Sequence, residues 1–319
     1  MPDWTYPVEL TAPDIEPYRA GNTGIEYVTT FAAAAPGPHV LVTGLTHGNE
    51  ICGAIALDKL FRANIRPRRG KLTLAFDNVA AYREFDPRHP IASRYIDEDF
   101  NRLWSPATLD GPRRSAELAR ARILRPIVDA ADYLLDIHSM QHPTAPLMLA
   151  GLLPKSRELA RQVGIPELIM CDAGHAAGPR MRDYGGFGDP SSPKTALLIE
   201  AGQHWQTRCA EVATDVMLRF LIATGAVTHD DVAALGSPDF DAPARQRTIE
   251  VTEAVTISGD RFEFVDDFRG LEVLPKKGDL IGHDGTREVR TPYDACVLIM
   301  PSRRLVRGQT AVRLGRYVD

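Results

Sequence analysis

Between residues 39 and 224 the sequence alternates short, wholly apolar runs with stretches whose apolar residues recur at helical spacing. HVLVTGL (39–45) precedes EICGAIALDKLFR (50–62), where Ile51, Ile55, Leu57, Leu60 and Phe61 mark a helix. KLTLAFD (71–77), YLLDIH (133–138), LMLAG (147–151), PELIMCD (166–172) and TALLIEAG (195–202) read as further strands. Residues 113–129, 154–163 and 207–224 read as helices. Strands that are apolar throughout belong in a sheet covered on both faces. Alternation with helices makes that sheet mostly parallel. The expected fold class is therefore α/β, with a mostly parallel or mixed sheet covered by helices. In such sheets, ligand sites gather beyond the carboxyl ends of the strands.

The pattern changes near residue 236. GSPDFDAPARQR (236–247) reads as a linker, with two prolines and many polar residues. TEAVTIS, FEFV, LEVL, ACVLIM and TAVRLG follow as short strands, with KKGD, HDGT and TPYD as turns. The expectation is a catalytic domain at residues 1–240 and a small all-β domain at 248–319. A chain of 319 residues exceeds one typical domain and needs no disulfides to bury its core. Residues 78–105 show no clear period and hold Pro87 and Pro90. A long irregular stretch in a compact domain is usually functional.

Composition excludes some classes of partner. The net charge is −5 and no long basic run occurs, which argues against nucleic acid. Arg66, Arg68 and Arg69 read as a solvated turn. No run of about 20 apolar residues suggests a membrane span. Cys52, Cys171, Cys209 and Cys296 are dispersed, with no C-x-x-C pair. Together with an amino terminus that lacks a signal-peptide pattern, they point to a reducing cytoplasm. Assembly into a homo-oligomer is left open.

Chemistry-bearing residues cluster where strands end. His47 and Glu50 follow the first strand, His138 closes a later one, and Glu200 closes 195–200. Two imidazoles and one carboxylate make a three-ligand zinc site with a position left for water. Glu200 would then serve as general base for that water. H-x-x-E alone also fits a polar loop histidine and a negative charge in a helix's first turn. Asp136 shares a strand face with His138; it either holds that histidine's other nitrogen or sits in a structural network. In SRYIDEDFNRLW (93–104), Arg94, Asn101 and Arg102 offer donors. On residue type alone they fit a mixed-charge surface loop in which Asp97, Glu98 and Asp99 pair with the arginines. His142, His175 and His204 lie near the expected site edge, where loop histidines more often face solvent. Cys52 begins an apolar helix face and reads as core.

Four blocks in order resemble the succinylglutamate desuccinylase and aspartoacylase family, related to the zinc carboxypeptidases. They are H-G-N-E (47–50), S-R-Y-I-D-x-D-x-N-R (93–102), L-D-I-H-S (135–139) and I-E-A-G (199–202). The resemblance runs from about residue 22 to the end. It implies a zinc-dependent amidohydrolase acting on a linear amide, one Zn2+ per chain, and a small N-acyl amino acid as substrate. It also implies that His47, Glu50 and His138 are the ligands and Glu200 the base and proton shuttle. Arg94 would stabilise the oxyanion, and Asn101 with Arg102 would grip the α-carboxylate. A carboxypeptidase acting on short peptides, or a non-catalytic metal-binding relative, are the alternatives. Departures concern specificity. Arg180 and Arg182, in GPRMRDYGG, do not align clearly with the family's further arginine. MPSRRLV (300–306) has no tyrosine where aspartoacylase has one, and Arg303 or Arg304 are candidates to replace it.

Overall fold

Among the described residues seven strands precede the change of pattern, and they carry the alternation through. They are β1 Val28–Ala32, β2 His39–Gly44, β3 Lys71–Phe76, β4 Tyr133–Met140, β5 Leu147–Leu149, β6 Leu168–Cys171 and β7 Thr195–Gln203. The structure is a computed structural model that describes residues 6–174, 177–236, 245–303 and 305–318. Its helices are α1 Ile51–Arg62, α2 Val79–Arg83, α3 Pro106–Leu109, α4 Ala116–Ala130, α5 Pro154–Val163, α6 Thr207–Ala223 and α7 His229–Val232. Strands β2, β3, β4 and β7 run parallel, whereas β1 pairs antiparallel with β3, and β5 with β7. The sheet is thus mixed and helix-covered, as the apolar runs require.

Each strand sends alternate residues to opposite faces. Val40, Val42, Leu72, Leu74, Leu135, Ile137, Leu197 and Ile199 join α1, α5 and α6 in one core. Leu41, Leu134 and Ala196 point the other way, onto Leu118, Ala121, Leu124 and Val128 of α4. Helix α1 approaches β2 closely: a Cβ on Gly53 would lie 3.0 Å from the Gly44 Cα. Among the described residues, no helix is long and apolar enough to cross a membrane.

Beyond residue 245 the strands among the described residues are β8 Arg247–Thr256, β9 Phe262–Phe264, β10 Val273–Leu274, β11 Leu280–Asp284, β12 Arg287–Arg290, β13 Cys296–Ile299 and β14 Thr310–Tyr317. Strand β8 pairs in parallel with β6, so β8, β14, β13 and β10 extend the central sheet to eleven strands. Strands β12, β11 and β9 form a separate three-stranded sheet. Within that sheet HDGT is the turn of a hairpin whose strands, LIGHD and REVR, were not foreseen. Strand β1 was also missed, and the short helix α2 interrupts the stretch expected to be irregular. Most of the expected linker, residues 237–244, lies outside the described residues.

Ile249, Val297 and Ile299 from the carboxyl-terminal strands share one core with Met140, Leu147, Leu149, Leu168, Met170 and Leu198. Burying three such side chains contributes roughly 5 to 9 kcal/mol. That is comparable with the whole stability of a typical domain, about 5 to 15 kcal/mol. Residues 1–236 expressed alone are therefore expected to lose cooperative thermal unfolding. A cooperative transition within a few degrees of the full chain would contradict this.

Candidate active site

The carboxyl edge of the sheet gathers the candidate residues because each strand delivers its side chain by register. His138 on β4 is the direct partner of Glu200 on β7. Neighbouring strands lie about 4.8 Å apart, so the two side chains stand side by side. Leu134, Asp136 and His138 alternate onto the α4 face, as do Ala196, Leu198 and Glu200. His47 and Glu50 arrive from the turn between β2 and α1. There Leu45 adopts φ +64°, a left-handed conformation that a leucine holds only under constraint from its surroundings. Gly48 admits no side chain: a Cβ would lie 2.4 Å from the Ala81 carbonyl carbon and 2.5 Å from Ser93 O.

The segment 93–104 is fixed by two elements. Gly48 N donates to Arg94 O at 3.1 Å. The buried Glu117 carboxylate in the first turn of α4 accepts from Ile96 N, Asp97 N and Glu98 N at 2.7, 3.0 and 3.2 Å. These bonds bring Arg94, Asp99, Asn101 and Arg102 over the sheet edge.

At the centre stands the buried Glu50 carboxylate. His47 Nδ1 lies 2.7 Å from its Oε1 and His138 Nδ1 lies 2.8 Å from its Oε2. One donor atom from each of these three residues lies within 4.8 Å of the other two. The outer nitrogens are held by aspartates. His47 Nε2 is 2.9 Å from Asp99 Oδ1, and His138 Nε2 is 2.9 Å from Asp136 Oδ2. Both imidazoles are thereby oriented with Nδ1 inward, the arrangement that presents a ring nitrogen to a cation. Burial works against the Glu50 charge, yet the two imidazoles hold its carboxyl well below the usual range. Burial likewise opposes a charge on His138, but Asp136 and Glu50 raise its basicity well above normal. A pocket that stabilises positive charge on these nitrogens suits a divalent cation, and the two-imidazole, one-carboxylate donor set suits zinc.

Glu200 stands apart from this network. Its Oε2 is buried without a hydrogen-bond partner among the described residues. Burial, reinforced by the Glu50 charge and opposed by His138, Arg94 and Arg180, pushes its carboxyl up to about 8. Arg94 donates to Glu50 Oε1 and Asp99 Oδ2, both at 3.2 Å, and also lies 3.0 Å from His47 Nε2. With 35% of its side chain exposed, it can still reach a ligand. Asn101 Oδ1 accepts from Met181 N at 2.8 Å, while its Nδ2 lies 3.2 Å from His138 Nε2. Burial draws the Arg102 guanidinium down to about 10 against the pull of Asp99.

Other candidates have identifiable partners. Arg180 forms a two-pronged pair with Asp172 at 2.9 and 2.8 Å, and Arg182 binds Asp183 and Ala150 O. Arg303 pairs with Asp267 at 2.6 Å. His142 Nδ1 lies 3.0 Å from the Tyr6 hydroxyl. His204 is buried against Ser139 Oγ at 2.8 Å, and burial lowers it to about 3, so it is neutral. Cys52 lies in the core. His175 and Arg304 fall outside the described residues. Asp99 pairs with Arg94 and Arg102, as a mixed-charge loop would have it, but its place against His47 Nε2 was not foreseen and carries no signal beyond its block.

The model of the succinylglutamate desuccinylase/aspartoacylase catalytic domain matches residues 36–215. The chain belongs to this family of deacylases. Succinylglutamate desuccinylase of Vibrio cholerae is 24% identical over 304 residues, covering 90% of this chain and 82% of that protein. The fold of this chain is similar to the crystal structure of succinylglutamate desuccinylase from Vibrio cholerae, with TM-score 0.66, 20% identity, and 92% of this chain and 86% of that one covered. The product-bound ectoine utilization protein EutE (DoeB) from Ruegeria pomeroyi gives TM-score 0.60 and 18% identity, covering 93% and 92%.

Behind the donor set, Thr46 Oγ1 lies 2.7 Å from Asp136 Oδ1 and 3.1 Å from Asp77 Oδ2. A hydroxyl has one proton to give, so a protonated Asp77 completes the chain. Burial and the Asp136 charge push Asp77 up to about 8. Unfolded, it titrates near 4. Between those values the folded chain holds the extra proton, so the stability Asp77 contributes falls as pH rises. Asp77→Asn is expected to flatten the loss of urea stability between pH 5 and 8. An unchanged slope would contradict a protonated Asp77.

Proposed function

We propose that this deacylase hydrolyses the amide bond of an N-acyl amino acid, with a zinc ion held by Nδ1 of His47, a Glu50 oxygen and Nδ1 of His138. The observation that carries the proposal is the buried, unpartnered Glu200 oxygen beside a converging His–Glu–His group. When bound, the ion polarises the scissile carbonyl and acidifies the attacking water. Glu200 takes the proton of that water and returns it to the departing amine nitrogen. A carboxyl raised toward neutrality suits both transfers. Positive charge at the neighbouring donor set favours its ionised, proton-accepting form. Arg94 donates to the carbonyl oxygen as charge builds there. Arg102, with the Asn101 amide nitrogen, receives the α-carboxylate and fixes the register of the scissile bond.

Short peptides would require the same chemistry and differ only in how the cleft receives them. The family membership favours acyl amino acids as the substrate class. Glu200→Gln is expected to retain metal by elemental analysis while kcat falls by at least about 10²- to 10⁴-fold, the usual contribution of a positioned general base. Activity within tenfold of the parent would remove Glu200 from that role.

A further inference from the structure

Glu117 stands buried in the first turn of α4, and the acceptor positions of its carboxylate are filled. Oε1 accepts from Ile96 N at 2.7 Å and from Asn78 Nδ2 at 3.0 Å. Oε2 accepts from Asp97 N at 3.0 Å and from Glu98 N at 3.2 Å. All four donors are neutral amides, which bind an ionised acceptor more strongly than a neutral one. The contacts are reciprocal. Asp97 Oδ2 accepts from Ala116 N at 2.7 Å, and Ser115, which caps α4, donates its hydroxyl to Glu98 Oε1 at 2.5 Å.

Packing does little for this part of the loop. Ser93 and Phe100 are buried, but every residue between them is half-exposed or exposed. Hydrogen bonds therefore fix the backbone at 96–98. That short stretch is flanked by Arg94 on one side and by Asp99, Asn101 and Arg102 on the other. Asp99 Oδ1 in turn accepts from Asn101 N at 2.9 Å and holds His47 Nε2 at 2.9 Å. Asn78 extends the connection, because its backbone N donates to Leu45 O at 2.9 Å. Leu45 opens the turn that delivers His47 and Glu50. One carboxylate thus ties the loop that carries Arg94 and Arg102 to the turn that carries two of the cation donors.

We propose that Glu117 is a positioning residue: through three consecutive amides it sets where Arg94 and Arg102 stand over the reacting bond, without touching cation or substrate. This rests on the roles given to those arginines above. A misplacement of about 1 Å far from the chemistry can cost about 10²-fold in rate. The plainer role for an acid in a helix's first turn is to complement the helix dipole, which any carboxylate there fulfils. Two variants separate the roles. Glu117→Asp keeps the charge but falls one methylene short of the loop. Glu117→Gln keeps the reach but turns an amide NH2 toward two N–H donors.

Hydrogen exchange of the Ile96, Asp97 and Glu98 amides is measured on the zinc-loaded parent and both variants. Zinc content and turnover of N-acetyl-L-alanine and N-succinyl-L-glutamate are measured alongside. Both variants are expected to unfold cooperatively, with the three amides exchanging about 10- to 100-fold faster, the usual strength of a hydrogen bond to a charged group. On the compound cleaved faster, kcat/KM per bound zinc should fall about 10²-fold, with KM raised about tenfold as Arg102 is displaced. Loss of folded protein alone would lower kcat and leave KM unchanged. Arg102→Gln should cost less than about one fifth as much in the Glu117→Gln background as in the parent, since both changes remove the same grip. Parental exchange and kinetics in Glu117→Asp would reduce Glu117 to a helix charge and overturn the proposal. Amides that stay protected in Glu117→Gln, an unmoved KM, or an equal cost of Arg102→Gln in both backgrounds would overturn it too. A parent that cleaves neither compound, yet whose 96–98 amides are freed in Glu117→Gln, sinks the deacylase reading alone.

Discussion

A buried carboxylate between two imidazoles is the interaction on which the site depends. Glu50 is buried away from bulk solvent, and the inward Nδ1 atoms of His47 and His138 stabilise its charge. Removing one member of such a buried pair typically costs about 3 to 5 kcal/mol, because the remaining charge is left uncompensated. The surrounding scaffold keeps the three atoms convergent. Gly48 lets the turn press against α2, Leu45 accepts a left-handed conformation, and Asp99 and Asp136 hold the outer ring nitrogens.

From that centre the rest of the edge acquires its character. The register of β4 and β7 sets Glu200 beside His138 but leaves its buried Oε2 without a hydrogen-bond partner among the described residues, which is how a group remains free to exchange protons. Four arginines, Arg94, Arg102, Arg180 and Arg313, approach from three separate stretches of chain. Among the described residues the carboxylates of Glu50, Asp99, Asp172 and Asp183 pair with the first three of them. An edge so rich in guanidinium groups favours small anions and fits the proposed carboxylate-bearing substrates. The carboxyl-terminal strands matter here because β8 joins β6, which sets Arg313 on the same sheet face as Leu198 and Glu200.

Much of this was legible in the sequence, for physical reasons. Strands β2, β3, β4, β6 and β7 are buried on both faces, so they read as continuous apolar runs and their ends mark the site. Strand β1, VTTFA, is a half-exposed edge strand with two threonines, and its pattern is weak. The hairpin β11–β12 carries His283, Asp284, Arg287, Glu288 and Arg290, so charge masks its strands. Joining β8 to β6 is a pairing between segments about 80 residues apart, and no local pattern encodes it. Among site residues, His47, Glu50 and His138 stood out by spacing and by strand-end position. Asp99 did not, because one aspartate in an acidic segment looks like any other until the fold sets it on His47. Arg180, Arg182 and Arg303 looked equivalent as free cations. Their acidic partners, Asp172, Asp183 and Asp267, become apparent only in three dimensions.

The central claim is that a cation binds between the inward nitrogens of two aspartate-oriented imidazoles. Anomalous diffraction at the zinc absorption edge, on crystals grown with zinc, tests it most directly. One strong peak is expected, bounded by His47 Nδ1, His138 Nδ1 and a Glu50 oxygen. A peak ligated through the Nε2 atoms, or one elsewhere with these three residues bare, would contradict it.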